Sequence, residues 1–216
     1  MKPIFKTPLD GDYFFGYYDK SAISFDGSKM LAQKTDFIDR MPSGEDHLKI
    51  GYFDLNDKDQ SFKQITSSKA WNWQQGCMLQ WLGPNFNEKI IYNDRIESGY
   101  VSIVIDLSSN QKKIFDMPVY SVSGSGKKAL CVDHERLSWY RPGYSYIGIQ
   151  NEKKRIAFMP EDGIWFLDLE TGKLEQIINL GDLIKIKPNK GMSDAIHYVE
   201  HIIFNHDGSR FQFLHR

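Results

Sequence analysis

Ser24-Phe25-Asp26-Gly27-Ser28-Lys29 stands between two apolar segments, and the same kind of stretch returns near the far end of the chain as Phe204-Asn205-His206-Asp207-Gly208-Ser209-Arg210. Two weaker versions lie between them, Gly83-Pro84-Asn85-Phe86-Asn87-Glu88-Lys89 and Ser123-Gly124-Ser125-Gly126-Lys127-Lys128. Each reads as strand, tight polar turn, strand. Asp-Gly and Gly-rich pairs supply the positive φ that such turns need. A hairpin that recurs at intervals of roughly 40 residues or more is an internal repeat.

Working outward from the first turn, Ala22 to Phe25 and Lys29 to Lys34 read as a strand pair, followed by Leu48 to Leu55 and Phe62 to Thr66. Four antiparallel strands joined by turns make one propeller blade. The second unit repeats this with Met78 to Leu82, Lys89 to Asn93, Tyr100 to Leu107 and Lys112 to Phe115. In the third, two strands flank Gly124 and an irregular Tyr- and Arg-rich insertion runs from His134 to about Asn151. Ile164 to Leu169 and Leu174 to Ile178 complete it. The third strand of each unit ends on the same pair: Asp54-Leu55, Asp106-Leu107, Asp168-Leu169. A fourth unit starts near His197 and reaches Leu214. Ser193 to His201 reads equally as a short capped helix or as an extended approach to the next strand.

The expectation is therefore an all-β, single-domain, β-propeller-like array of four-stranded antiparallel blades, with about three and a half blades present. The blades span 17–66, 71–117, 118–180 and an incomplete 197–216. Closed propellers take about four to eight full blades. The chain is thus expected to be a truncation, a fragment, or a protein completed by a partner chain or a homo-oligomer. A small open protein of four β-meanders is the plainer alternative.

Composition narrows the partners. The 27 basic and 28 acidic residues leave a net charge of −1, which gives no electrostatic reason to expect nucleic acid or an anionic membrane. The start, Met1-Lys2-Pro3-Ile4-Phe5-Lys6, is no apolar leader, and no run of ~18 apolar residues occurs. A cytoplasmic location is expected. Cys77 and Cys131 sit in apolar strand-like stretches and are expected as buried free thiols. No G-x-G-x-x-G, Walker, H-E-x-x-H or G-x-S-x-G pattern is present, which lowers the dinucleotide-binding, P-loop, zincin and serine-hydrolase readings.

In a propeller, the start of each blade's first strand and the end of its second share one face near the axis. That geometry gathers Asp19 and Arg40 from the first unit; Trp73, Gln75 and Arg95 from the second; His134, Arg136 and Arg141 from the third; and His197, His201 and His215 from the fourth. Asp19, Arg40, Trp73, Gln75, Arg95, Arg136 and Arg141 are the substrate-binding candidates. Guanidinium forks match carboxylates, so an acidic oligosaccharide is the expected ligand. His197, His201 and His215 could together hold a divalent metal such as Mn or Zn. His134 is the candidate general base. Each has a plainer role in loop packing or as a hydrogen-bonded histidine.

Tyr17-Tyr18-Asp19-Lys20 before Phe25-Asp26-Gly27, with His201-Ile202-Ile203-Phe204-Asn205 through His215-Arg216, resembles the oligogalacturonate-lyase-like branch of the TolB/WD40-type β-propellers. The resemblance covers much of the chain but is diffuse. It implies a seven-bladed ring in which a histidine takes a proton from a uronic acid, and histidines with a glutamine hold a Mn-like metal. His201 and His215 look like members of that set, and His134 or His197 could stand for others. Arg216 replaces the acidic, Gly-containing motif expected after the last histidine. Three functions compete: a glycan-associated propeller that binds acidic sugars, a metal-assisted lyase acting by β-elimination, and a protein-interaction propeller.

Overall fold

The computed structural model describes residues 5–216. The N-terminal residues 1–4, part of the stretch read as lacking a leader, lie outside them. Fourteen strands among the described residues form four antiparallel sheets. The first holds β1 (Asp12–Phe14), β2 (Lys29–Thr35), β3 (Leu48–Asp54) and β4 (Phe62–Ser68), in that order. The second holds β5 (Gln80–Trp81), β6 (Lys89–Ile96), β7 (Gly99–Asp106) and β8 (Lys112–Phe115). The third holds β9 (Val119–Val122), β10 (Lys128–Cys131), β11 (Gly163–Asp168) and β12 (Leu174–Asn179). The fourth is the hairpin of β13 (Val199–Phe204) and β14 (Phe211–His215). Sequential up-and-down sheets of this kind are propeller blades.

The repeated Asp-Leu pair has a physical cause. Leu55, Leu107 and Leu169 each donate their backbone N–H to the turn that precedes the blade's second strand, at Ser28, Glu88 and Lys127. The aspartate before each leucine accepts backbone N–H groups of the next turn, from Asn56, from Ser108 and Ser109, and from Glu170 and Thr171. One dipeptide thus ties two turns together in each of the three four-stranded blades.

The hydrophobic core lies between the sheets rather than within one. Leu31, Leu48, Ile50, Trp71, Tyr92 and Val101 fill the first interface. Leu82, Ile91, Ala129, Cys131 and Leu167 fill the second, and Tyr120, Leu130, Ile164, Val199 and Ile202 the third. Cys77 and Cys131 are buried and free. The second and third blades also meet through their turns. Gly126 has φ +70°, and a Cβ there would strike the Gly83 carbonyl oxygen. Gly126→Ala is expected to cost at least about 2 kcal/mol, from a disfavoured φ and a backbone clash together, as read by urea unfolding.

Three local expectations change. The innermost strand of the first blade is β1, which starts at Asp12, ahead of the boundary at 17. The expected strand Ala22 to Phe25 contributes one ladder bridge, Ile23 to Met30. Ser24 is instead spent on the turn: its Oγ donates to Asp26 and accepts from the Lys29 N–H. The insertion is not wholly irregular, because it opens with α1 (His134–Tyr140). Asp133 caps that helix by accepting from the Glu135 and Arg136 N–H groups. Ser193 caps no helix; it lies inside a one-turn 3₁₀ segment, Met192–Asp194, after which the chain is extended. A four-residue α2 (Leu180–Leu183) follows β12. No helix among the described residues is long and apolar enough to cross a membrane.

Candidate functional site

Four side chains meet where the inner segments of the four blades begin. Gln75 of the second blade donates from Nε2 to the Tyr120 hydroxyl at 2.9 Å. That hydroxyl accepts the backbone N–H of His201 at 3.0 Å. The His201 ring is in turn hydrogen-bonded through Nε2 to the Tyr17 hydroxyl at 2.9 Å. Each blade supplies one link. The His201 link depends on a bulge. The β13–β14 register shifts between Glu200 and Ile203, and His201 takes φ +53°, a left-handed conformation unusual for a side chain of that size. The hydrogen bond from His201 N–H to Tyr120 holds it there.

The residue before His201 sets the charge. Glu200 is 0 % exposed, and an acid buried in this way needs partners. Arg141 reaches it from the insertion through Nε at 2.9 Å, and Arg216 from beyond β14 through Nε at 3.0 Å. Both arginines remain partly exposed. Arg141 also stacks over Tyr144, 4.4 Å from the ring centre, and Tyr144 packs on His201 and Tyr17. Tyr18 lies 4.4 Å from Tyr17, centroid to centroid, and is 75 % exposed. Burial pushes the Tyr120 phenol up to about 12 and the Tyr17 phenol higher still, with Tyr144 and Tyr18 adding to the second shift. Both hydroxyls therefore keep their protons at neutral pH and act as neutral hydrogen-bonding groups. The rim has two arginines facing one carboxylate, a neutral hydrogen-bonding chain beside them, and an aromatic surface.

The structure brings Gln75, Arg141 and His201 together there. It sends the other predicted residues elsewhere. His134 is 1 % exposed, and its ring is stacked on Tyr146 at 4.3 Å with Tyr120 6.2 Å away. Its Nδ1 is hydrogen-bonded to the Ser145 hydroxyl. Burial pushes its pKa down to about 3. A ring enclosed in this way is a packing element of the insertion and not an accessible base. Arg136 is likewise fully buried, donating to the carbonyls of Ala157 and His197. Arg40 forms a two-bonded pair with Asp46 and stacks on Phe37. Trp73 donates to the Arg40 carbonyl and packs against Trp71, Phe14 and Phe37. Arg95 donates to the Gly44 carbonyl and lies beside Glu45, so it straps loops of two blades. Asp19 pairs with Lys20.

The three histidines read as a metal set divide into two groups. His197 Nε2 faces the Met192 carbonyl at 2.6 Å. A carbonyl only accepts, so that nitrogen carries the proton. Nδ1 of His197 then accepts from His215 Nε2, 2.9 Å away. Both nitrogens of His197 are committed, and His201 makes its contacts with Tyr17, Tyr120, Tyr144 and Glu200 instead. The bulge at His201 is the reason, since it breaks the alternation that would have kept the residues on one face. Among the described residues no three His, Cys, Asp or Glu side chains are grouped to hold a metal, so these side chains do not fit the expected Mn or Zn site.

Sequence reasoning missed Tyr120 and assigned no role to Tyr17 or Glu200. Tyr120 had a usable signal, since it opens the third blade's first strand at the level where Gln75 opens the second. Glu200 had one too, as an acid that follows Val199 at the start of a strand and precedes the apolar run Ile202-Ile203-Phe204 by two residues.

No protein-family model and no curated protein matches the chain. Solved structures do. An oligogalacturonate lyase from Vibrio parahaemolyticus is similar over 97 % of this chain, with a TM-score of 0.58 at 14 % identity. TolB from Acinetobacter baumannii covers 95 % of the chain, with a TM-score of 0.48 at 12 % identity. The isopeptidase AtxE2 covers 83 %, with a TM-score of 0.45 at 8 % identity. The first of these likenesses shows the fold, a β-propeller arrangement of blades. The chain spans 48 % of the lyase's length and 38 % of TolB's.

Proposed function

We propose that this chain is a glycan-associated propeller protein that binds a carboxylate-bearing sugar at the rim built by Arg141, Arg216, Tyr144 and Tyr18. One observation carries the reading. Arg141 and Arg216 are both fixed on buried Glu200 through Nε alone, so their terminal nitrogens have no protein hydrogen bond among the described residues. A fixed guanidinium with free donors matches a carboxylate in shape and charge. The aromatic rings beside it offer apolar faces to the C–H faces of a sugar ring. Titration calorimetry with trigalacturonate tests this. Saturable binding is expected, weakened about tenfold in Arg141→Met, the effect of losing one charge-assisted contact. No heat with any uronate oligomer, or equal affinity for a neutral trisaccharide, would overturn it.

A second reading is favoured by the His201–Tyr17 contact beside those arginines and by the likeness to a lyase. In β-elimination a base takes the C5 proton of a uronate, a C4=C5 double bond forms, and the C4–O bond breaks, with its oxygen leaving and taking up a proton. His201 would be the base, and Arg141 and Arg216 would hold the carboxylate whose charge grows as the proton leaves. Growth of ultraviolet absorbance from the unsaturated product, lost in His201→Ala, supports this reading. Binding without that absorbance leaves the glycan-binding role alone.

A further inference from the structure

We propose a second binding site at the hairpin-turn end of the axis, for a small aromatic anion. A cavity of ≈ 570 Å³ lies there, with Ile23, Phe25, Trp81 and Phe86 as apolar walls and Asp19 and Lys20 at its head. Asp19, expected at the rim, lines this cavity with Lys20. The two also line a smaller void of ≈ 190 Å³ that reaches the fourth blade's turn. Tyr18 of the rim directly precedes Asp19, but the two sites use different side chains, Arg141 and Arg216 there and Lys20 and Phe25 here, so the two readings are tested separately.

The Lys20 side chain is 6 % exposed, and its ammonium has one protein partner, the adjacent Asp19, at 2.8 and 2.9 Å. Burying an ammonium is costly. An ammonium has three donors, and a third is left for an anion in the cavity. Phe25, meanwhile, is a large apolar side chain left exposed at the mouth. Its own place is fixed, because its backbone N–H donates to the Phe86 carbonyl. A flat ring against Phe25, Phe86 and Trp81, with its anionic group on Lys20, would cover the one and satisfy the other.

The probe is anilinonaphthalene sulfonate, an aromatic anion that fluoresces when it leaves water, with uncharged phenylnaphthylamine as its counterpart. One saturable site is expected. Lys20→Met should weaken the sulfonate about tenfold and leave the neutral dye unchanged. Phe25→Ser should weaken both. Phe25 is exposed, so this variant folds and decides the matter if Lys20→Met does not. Non-saturating uptake, or sulfonate binding unchanged in Phe25→Ser, would overturn the proposal.

Discussion

Arg136→Met is expected to destabilise the chain by about 3–5 kcal/mol, the cost of removing one partner from a buried ion pair. The Arg136 side chain is 0 % exposed, and its Nε lies 3.3 Å from the buried Asp162 carboxylate. It also donates from Nη2 to the Ala157 carbonyl at 3.1 Å and the His197 carbonyl at 2.8 Å. One side chain therefore ties α1 to two later segments of the chain. Burial already holds Asp162 up at about 6, against the lowering effect of Arg136. A carboxyl raised in this way is most stable protonated. Its contribution is complete below the ordinary value of 3.8 and is lost as pH rises through about 6. Without Arg136 that loss deepens, so the penalty measured by urea unfolding should be larger at pH 8 than at pH 5. Adding Asp162→Leu to Arg136→Met should recover part of it. Equal penalties at both pH values would show that the ion pair is not what holds α1.

A second large effect is expected from His134. Its ring stays neutral in the folded chain down to about pH 3, because burial disfavours the charged form. The unfolded chain takes up that proton near 6.5. For a depressed pKa the contribution is complete above the unfolded value and is lost as pH falls toward the folded one. Between those limits one such group costs about 1.4 kcal/mol per pH unit. From pH 6.5 to 4.5 that is about 2.3 kcal/mol, since the slope is only half developed at 6.5. His134→Phe should flatten this part of the stability profile and keep the stack on Tyr146. Ser145 retains a use for its hydroxyl, since it also donates to the His134 carbonyl at 2.6 Å. The turn acids Asp26 and Asp106, held down to about 2 chiefly by the hydroxyls of Ser24 and Ser108, add to acid instability only at lower pH. An unchanged pH profile in His134→Phe would mean that the ring is open to protons.

Much of the architecture is legible in the turns. Asp26-Gly27 and Asp207-Gly208 read as hairpins because glycine takes the positive φ, and the structure gives φ +72° and +69° at Gly27 and Gly208. The Asp-Leu pairs read as a repeat, and their hydrogen bonds explain why they return. The site was legible in part. Gln75, Arg141 and His201 follow from propeller geometry, because inner strands must converge. Sequence position does not show burial, and His134, Arg136 and Trp73 look the same on a rim as in a packed insertion. Parity arguments also fail at a bulge, which one left-handed residue creates and no neighbour in the sequence announces. That is why His201 left His197 and His215. The split inner strand of the first blade was hidden for a related reason. Ala22 to Phe25 has strand-like composition, but its Ser24 serves the turn and β1 takes the rest of the edge.

The central claim is that the cluster at the start of the inner strands is a binding site for an acidic sugar. The most direct test is a proton–carbon correlation spectrum of the histidine and tyrosine rings during titration with trigalacturonate. The account predicts saturable shifts at His201, Tyr144 and Tyr18, with His134 and Tyr146 unmoved in their buried stack. Shifts confined to other rings, or none at saturating sugar, would contradict it.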